Sequence, residues 1–134
     1  DDESLANDTI LLRRVPSKPN LNVVWDDNMG CWRPSSASFN DHVNGSPMSV
    51  VLSETLEELG RPLDSALRGH ESGFSLAGFP AGVARENGQK VAREPTDDEP
   101  AHGVVVGKKT KSVMRRLAKS SHWIVPPELP DHRS

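Results

Sequence analysis

Six cationic side chains, Lys108, Lys109, Lys111, Arg115, Arg116 and Lys119, fall within twelve residues that contain no acidic one. The whole chain has a net charge of −3, so everything outside this stretch carries −9. Ammonium and guanidinium groups at this density can hold phosphate oxygens or carboxylates. Three uses of them compete. They can be a solvated helix face whose last-turn cations suit the helix dipole. Lys108 and Lys109 can instead flank a helix N-terminus that receives an anion. Or Lys111, Arg115, Arg116 and Lys119 can meet a phosphate backbone or an acidic partner protein.

Elsewhere, Arg13 and Arg14 are adjacent in the apolar run TILLRRV, Thr9 to Val15. Side chains alternate along a strand, so the two arginines point to opposite faces, and a buried one needs a carboxylate or phosphate. Arg33 stands beside the hydroxyls of Ser35, Ser36 and Ser38, which can bind a ligand or fill a tight sheet face. His102 follows the acidic run EPTDDEP, Glu94 to Pro100. It is a candidate general base or phosphate ligand, with Glu94, Asp97, Asp98 or Glu99 to orient it. The acidic run can also neutralise the basic segment. The pair Gly107-Lys108 is not a P-loop: that motif needs glycine where His102 stands and Ser or Thr where Lys109 stands. His42, His70 and His122 have no pair spacing, and Asn40 to Pro47 reads as a polar turn, so no metal site is assigned. No motif requires a cofactor, and neither a Ser-His-Asp order nor a neighbour for Cys31 supports catalysis.

These residues need elements to position them. Val104 to Val106 reads as a buried strand closed by Gly107. A helix follows, capped by Thr110 or Ser112, with Val113, Met114, Leu117 and Ala118 on its buried stripe and Lys111, Arg115 and Lys119 opposite. Trp123 and Ile124 return to the core. Upstream, Leu21 to Trp25 is a short extended segment and Arg33 to Phe39 an alternating strand, limited by Pro34 to an edge. Met48 to Leu52 is a strand, and Thr55 with Glu58 forms a capping box that opens a helix ended by Gly60. Pro62 restarts a turn that turns Leu63, Ala66 and Leu67 inward. Phe74 to Val83 is extended with a kink. The pair Asn87-Gly88 signals a hairpin between Gly82 to Arg85 and Lys90 to Arg93.

The pattern LLRR (Leu11 to Arg14), RPSSASF (Arg33 to Phe39), MSVV (Met48 to Val51), Ala101-His102 and GKKTKSVMRRLA from Gly107 resembles small uncharacterised bacterial proteins. That resemblance runs from about Leu11 to Val125 and implies no activity. A fainter one is to the ADP-ribosyltransferase-like fold, which would cast Arg13 or Arg14, Ser35 or Ser36, and Glu54 or Glu57 as the residues that hold NAD. The absence of tyrosine and a glutamate at a helix start depart from that pattern.

With 134 residues, 34% apolar composition and six aromatic residues, the chain suits one domain with a modest core. Eleven prolines and ten glycines argue against a helical bundle. One cysteine excludes an internal disulfide and a CxxC knuckle and fits a reducing cytoplasm. No apolar run is long enough to span a membrane, and the acidic N-terminus is unlike a signal peptide. The expected fold is a single α+β domain over residues 9–125, a twisted mixed or antiparallel sheet of about five to six short strands with two short helices. Residues 1–8 are a disordered acidic lead-in and 126–134 a proline-rich tail. The expected function is a non-enzymatic binding module that engages an anionic partner through the basic helix and Arg13, Arg14 and Arg33. A protein partner leads and nucleic acid is possible. The alternative is a small enzyme acting on a nucleotide or phosphorylated ligand around Arg14, Ser36, His102 and Lys108.

Overall fold

The apolar run that carries both arginines forms the centre of the sheet. In the computed structural model, which describes residues 1–131, strand β1 (Ile10–Pro16) lies between β4 (Met48–Leu52) and β5 (Phe74–Pro80). The six-stranded sheet has the order β6-β7-β4-β1-β5-β8 and is antiparallel throughout, with β6 at Lys90–Arg93, β7 at His102–Val106 and β8 at His122–Val125. A separate two-stranded ribbon pairs β2 (Val23–Asp26) with β3 (Cys31–Pro34).

Alternation along β1 sends Leu11 and Val15 to one face and Leu12 to the other, and both faces are covered. On the first face, helix α2 (Ala81–Glu86), helix α3 (Lys111–Ser120), the ribbon and a 3-10 turn at Ser36–Phe39 enclose Leu11, Val15, Phe39, Phe79 and Leu117, all fully buried. Phe39 meets Phe79 edge to face at 5.7 Å. On the second face, helix α1 (Ser53–Glu58) and a 3-10 turn at Leu63–Leu67 cover Leu12, Leu56, Ala66 and Leu76. The α+β class and the six strands of the sheet follow the sequence pattern, whereas among the described residues three helices stand where two were expected.

Helix α3 is capped as its sequence requires: the Thr110 hydroxyl accepts from the Val113 N–H at 3.2 Å. Four other segments differ from expectation. Asn87-Gly88 turns no hairpin; it ends α2, with Gly88 at φ +77° and the Gln89 N–H reaching back to the Ala84 carbonyl. Small Ala81 and Ala84 bury that short helix, and the glycine serves as its left-handed stop. Ser36–Phe39 coils instead of extending, because Phe39 reaches the core from a 3-10 turn and the Ser35 and Ser38 hydroxyls then bond the Leu21 and Asn22 carbonyls at 2.8 and 2.7 Å. Thr55 is inside α1, not its cap, and accepts from Arg93. Residues 1–8, expected to be loose, lie on the sheet: Leu5 is in the core, and Asp1 and Asp2 engage Arg85, Arg93 and the Val91 N–H and carbonyl.

The tail is described as far as Asp131, and the expected tail residues 132–134 lie outside the described part. Leu129 packs on the core and the Pro130 carbonyl accepts from the Trp32 indole at 3.0 Å. Among the described residues no helix is long and apolar enough to cross a membrane.

Gly103, the second residue of β7, has no room for a methyl group. A Cβ there would stand 2.9 Å from both the Ala92 carbonyl oxygen and Leu52 Cδ2. Gly103→Ala is expected to lower stability by roughly 1–3 kcal/mol in urea unfolding, the range for overpacking, and an unchanged midpoint would contradict this packing.

Candidate functional site

Arg13 and Lys109, both candidate ligand contacts, are instead tied into the fold. Strand β1 pairs with β4 only at Leu11 with Leu52 and Leu12 with Val51. Beyond that point the Arg13 guanidinium bridges the separated backbone, donating to the carbonyls of Ser49 (2.7 Å), Ser38 (3.0 Å) and Asn40 (3.3 Å). Burial pulls its pKa down to about 10, against the opposing charge of Asp41. Lys109 Nζ is enclosed, with its side chain 2% exposed, by Asp41 Oδ1 (2.9 Å) and the carbonyls of Val105 (2.9 Å) and Gly107 (3.0 Å). Both cations satisfy backbone carbonyls of β4, β7 and the segments beside them, which is a structural duty. Ser35 is likewise occupied by the Leu21 carbonyl.

The other five cations of the basic stretch behave differently. Lys108, Lys111, Arg115, Arg116 and Lys119 are exposed, and among the described residues none forms an ion pair. Arg116 donates to the Asn87 side-chain oxygen at 3.2 Å. No carboxylate of the acidic run forms an ion pair with them among the described residues. Glu99 accepts two hydrogen bonds from Arg61, at 2.6 and 2.8 Å, the Asp98 carbonyl accepts from Arg68, and Glu94 stands beside His102. Burial works to raise the Glu99 pKa, but the Arg61 and Ala101 hydrogen bonds and the charges of Arg61 and Arg68 together hold it below its ordinary value.

Where α3 ends, β3 and the start of β8 enclose a cavity of about 760 Å³. It collects Arg33, Ser36, Arg115 and Lys119, four of the residues singled out in the sequence, around Trp32 and Trp123. The Trp123 indole donates to the Trp32 carbonyl at 2.9 Å, and Trp32 meets Trp25 edge to face at 5.5 Å. Arg33 pairs with Asp26 at 3.3 Å. The lining therefore joins indole surface to cationic side chains from two elements.

A second cavity, of about 420 Å³, opens beside Leu12 and Val51 of the other core cluster. It brings Arg14 and His102 together with His42, His70, Ser49 and Phe74. The Arg14 Nε donates to the Ala66 carbonyl at 2.7 Å; burial lowers its pKa, Glu99 opposes and Arg61 adds to that shift. His102 Nδ1 lies 2.7 Å from the Glu94 carbonyl, which can only accept, so that nitrogen carries the proton. His42 Nε2 and Ser49 Oγ are 3.0 Å apart. Sequence reasoning passed over His42 and His70 because they sit in turns that the fold alone brings to His102. The alternative grouping is thereby divided: Arg14 and His102 share this cavity, Ser36 lines the other, and Lys108 stands exposed before α3.

Neither cavity has a glutamate in its lining, so the trio suggested by the ADP-ribosyltransferase-like resemblance does not assemble. Glu54 instead accepts from Thr9 and pairs with Arg93. No three His, Cys, Asp or Glu side chains among the described residues come together as metal ligands. No family model, no curated protein and no solved structure matches this chain.

The division between buried and exposed lysines is measurable. Lys109→Ala is expected to cost on the order of 2–3 kcal/mol in chemical denaturation, as it strands Asp41 and two carbonyls. Lys111→Ala should stay within about 0.5 kcal/mol of the parent, as for other exposed sites. Equal losses would refute the assignment.

Glu99 supplies a pH dependence. Its folded pKa lies below the ordinary 4.5, so its contribution is complete above that pH and is lost as the pH falls below it, through the folded value. Thermal unfolding followed from neutral to strongly acidic pH should show a decline that is shallower in Glu99→Gln; parallel curves would show that the Arg61 pair contributes nothing.

Proposed function

We propose that this chain is a non-enzymatic binding module that engages an anionic partner, protein or nucleic acid, through α3 and the cavity at its C-terminal end. The observation that carries this reading is the run of five exposed cations without ion pairs among the described residues, in a chain whose remainder is strongly acidic. Unneutralised charge on one face attracts an oppositely charged partner and speeds its approach, whereas charge already paired within the chain cannot. The stripe of Lys111, Arg115 and Lys119 leads into the tryptophan-lined cavity through Arg115 and Lys119. Indole surface beside cations accommodates the apolar part of an acidic peptide or the base of a nucleotide.

The test is the combined variant Lys111→Glu, Arg115→Glu and Lys119→Glu, with its fold checked by circular dichroism. Binding of a fluorescent single-stranded oligonucleotide and of an acidic peptide is measured by anisotropy over a salt series. At least one probe should bind the parent in a salt-sensitive way and the variant tenfold or more weakly. If the oligonucleotide is the one bound, the log-log salt slope should fall by roughly two to three, close to one for each lost phosphate contact. A folded variant that binds both probes as the parent does, or a parent that binds neither at low salt, would overturn the proposal.

A further inference from the structure

We infer that the second cavity, which no residue of the basic helix lines, is a binding site for a small phosphate ester. Among the described residues its lining holds Arg14, three histidines and no carboxylate, and Arg13, whose guanidinium is committed to backbone carbonyls, adds its charge at the edge. Such a concave site concentrates positive potential, and its volume falls within the usual range of small-molecule pockets.

Arg14 provides the anchor. Its Nε is fixed to the Ala66 carbonyl, and Nη1 and Nη2 have no acceptor among the described residues. Glu99, the carboxylate whose charge reaches Arg14, is already engaged by Arg61 and by the Ala101 N–H. A partly buried guanidinium with an open fork is suited to a bidentate oxyanion.

The imidazoles favour a phosphate over a carboxylate. With Nδ1 of His102 held by the Glu94 carbonyl, Nε2 is the nitrogen left for a ligand. A neutral ring offers a lone pair there and a protonated ring offers an N–H. A phosphate monoester, whose second pKa is about 6, exists near neutral pH both with and without a proton and can meet either form. A carboxylate is by then an acceptor only. The organic group has the half-buried Phe74 ring to pack on, with Leu12 and Val51 of the core behind it, and His70 stands edge to face with Phe74 at 5.5 Å.

Phenyl phosphate matches both halves of the site and serves as the probe, read by the ring C–H signals of the histidines in heteronuclear NMR of the full chain. Saturable shifts of His42, His70 and His102 are expected. His122, which lines the other cavity, should not move. Arg14→Gln should bind at least tenfold more weakly, as should benzoate to the parent. The triple glutamate variant of α3 should bind phenyl phosphate like the parent, so failure of one proposal is distinguishable from failure of the other. If Arg14→Gln does not fold, His70→Ala, in an exposed turn, takes its place with the same expected direction. Absence of saturable shifts at those three rings, unchanged affinity in the folded variant tested, or equal affinity for benzoate would each overturn the assignment.

Discussion

The pleat of β1 is the constraint on which the rest depends. Two adjacent arginines in a central strand cannot share a face, so one polar group must be accommodated on each side of the sheet. Arg13 is accommodated by closing structure: the β1–β4 ladder stops after two pairs, and the guanidinium joins the Ser49 carbonyl of β4 to the Ser38 and Asn40 carbonyls at the 3-10 turn. Arg14 is accommodated by leaving structure open. One nitrogen is bonded to Ala66 and the remaining fork borders a cavity. Identical side chains one residue apart thus become a structural clamp and an unfilled donor, and burial lowers the pKa of both.

Charge is distributed with similar asymmetry. Of the acidic run before β7, Glu99 is paired with Arg61, Glu94 stands beside His102, and Arg68 holds the Asp98 backbone carbonyl. The basic run after β7 has its first turn anchored by Lys109 and its other cations left in solvent. A surface cation is worth little to stability, commonly below about 1 kcal/mol even when paired. Five of them on one segment therefore have little to do with holding the fold, and long-range attraction is the physical effect they do produce.

How much of this was legible in the sequence depends on whether the controlling interaction is local. The Thr110 cap, the Val113–Leu117 stripe and the Val104–Val106 strand were readable because their signals lie within one turn or one pleat. The opposed faces of Arg13 and Arg14 were readable for the same reason. Asn87-Gly88 misled because a left-handed glycine serves a helix stop as well as a hairpin, and only the burial of Ala81 and Ala84 decides between them. The serines after Arg33 misled because Phe39 reaches the core either from a strand or from a 3-10 turn. Nothing local distinguishes Lys109 from Lys108 or Lys111, since its partner Asp41 is far away in the chain. The meeting of His42, His70 and His102 is also purely tertiary.

The pair of buried Lys109 and half-buried Asp41 connects the two candidate sites more closely than their positions suggest. Lys109 immediately precedes the Thr110 cap, so its anchorage fixes where α3 begins and which way the basic stripe faces. Asp41 immediately precedes His42 and also accepts from the Met48 N–H, while the neighbouring Asn40 carbonyl is held by Arg13. The same ion pair therefore sets the segment that presents His42 to Ser49 in the second cavity. Two surfaces on opposite sides of one sheet share a single polar anchor. It lies at the end of β7, where strand hydrogen bonding stops and the carbonyls of Val105 and Gly107 require a donor. A lysine meets that local requirement, and the carboxylate that must accompany it brings the histidine loop into place.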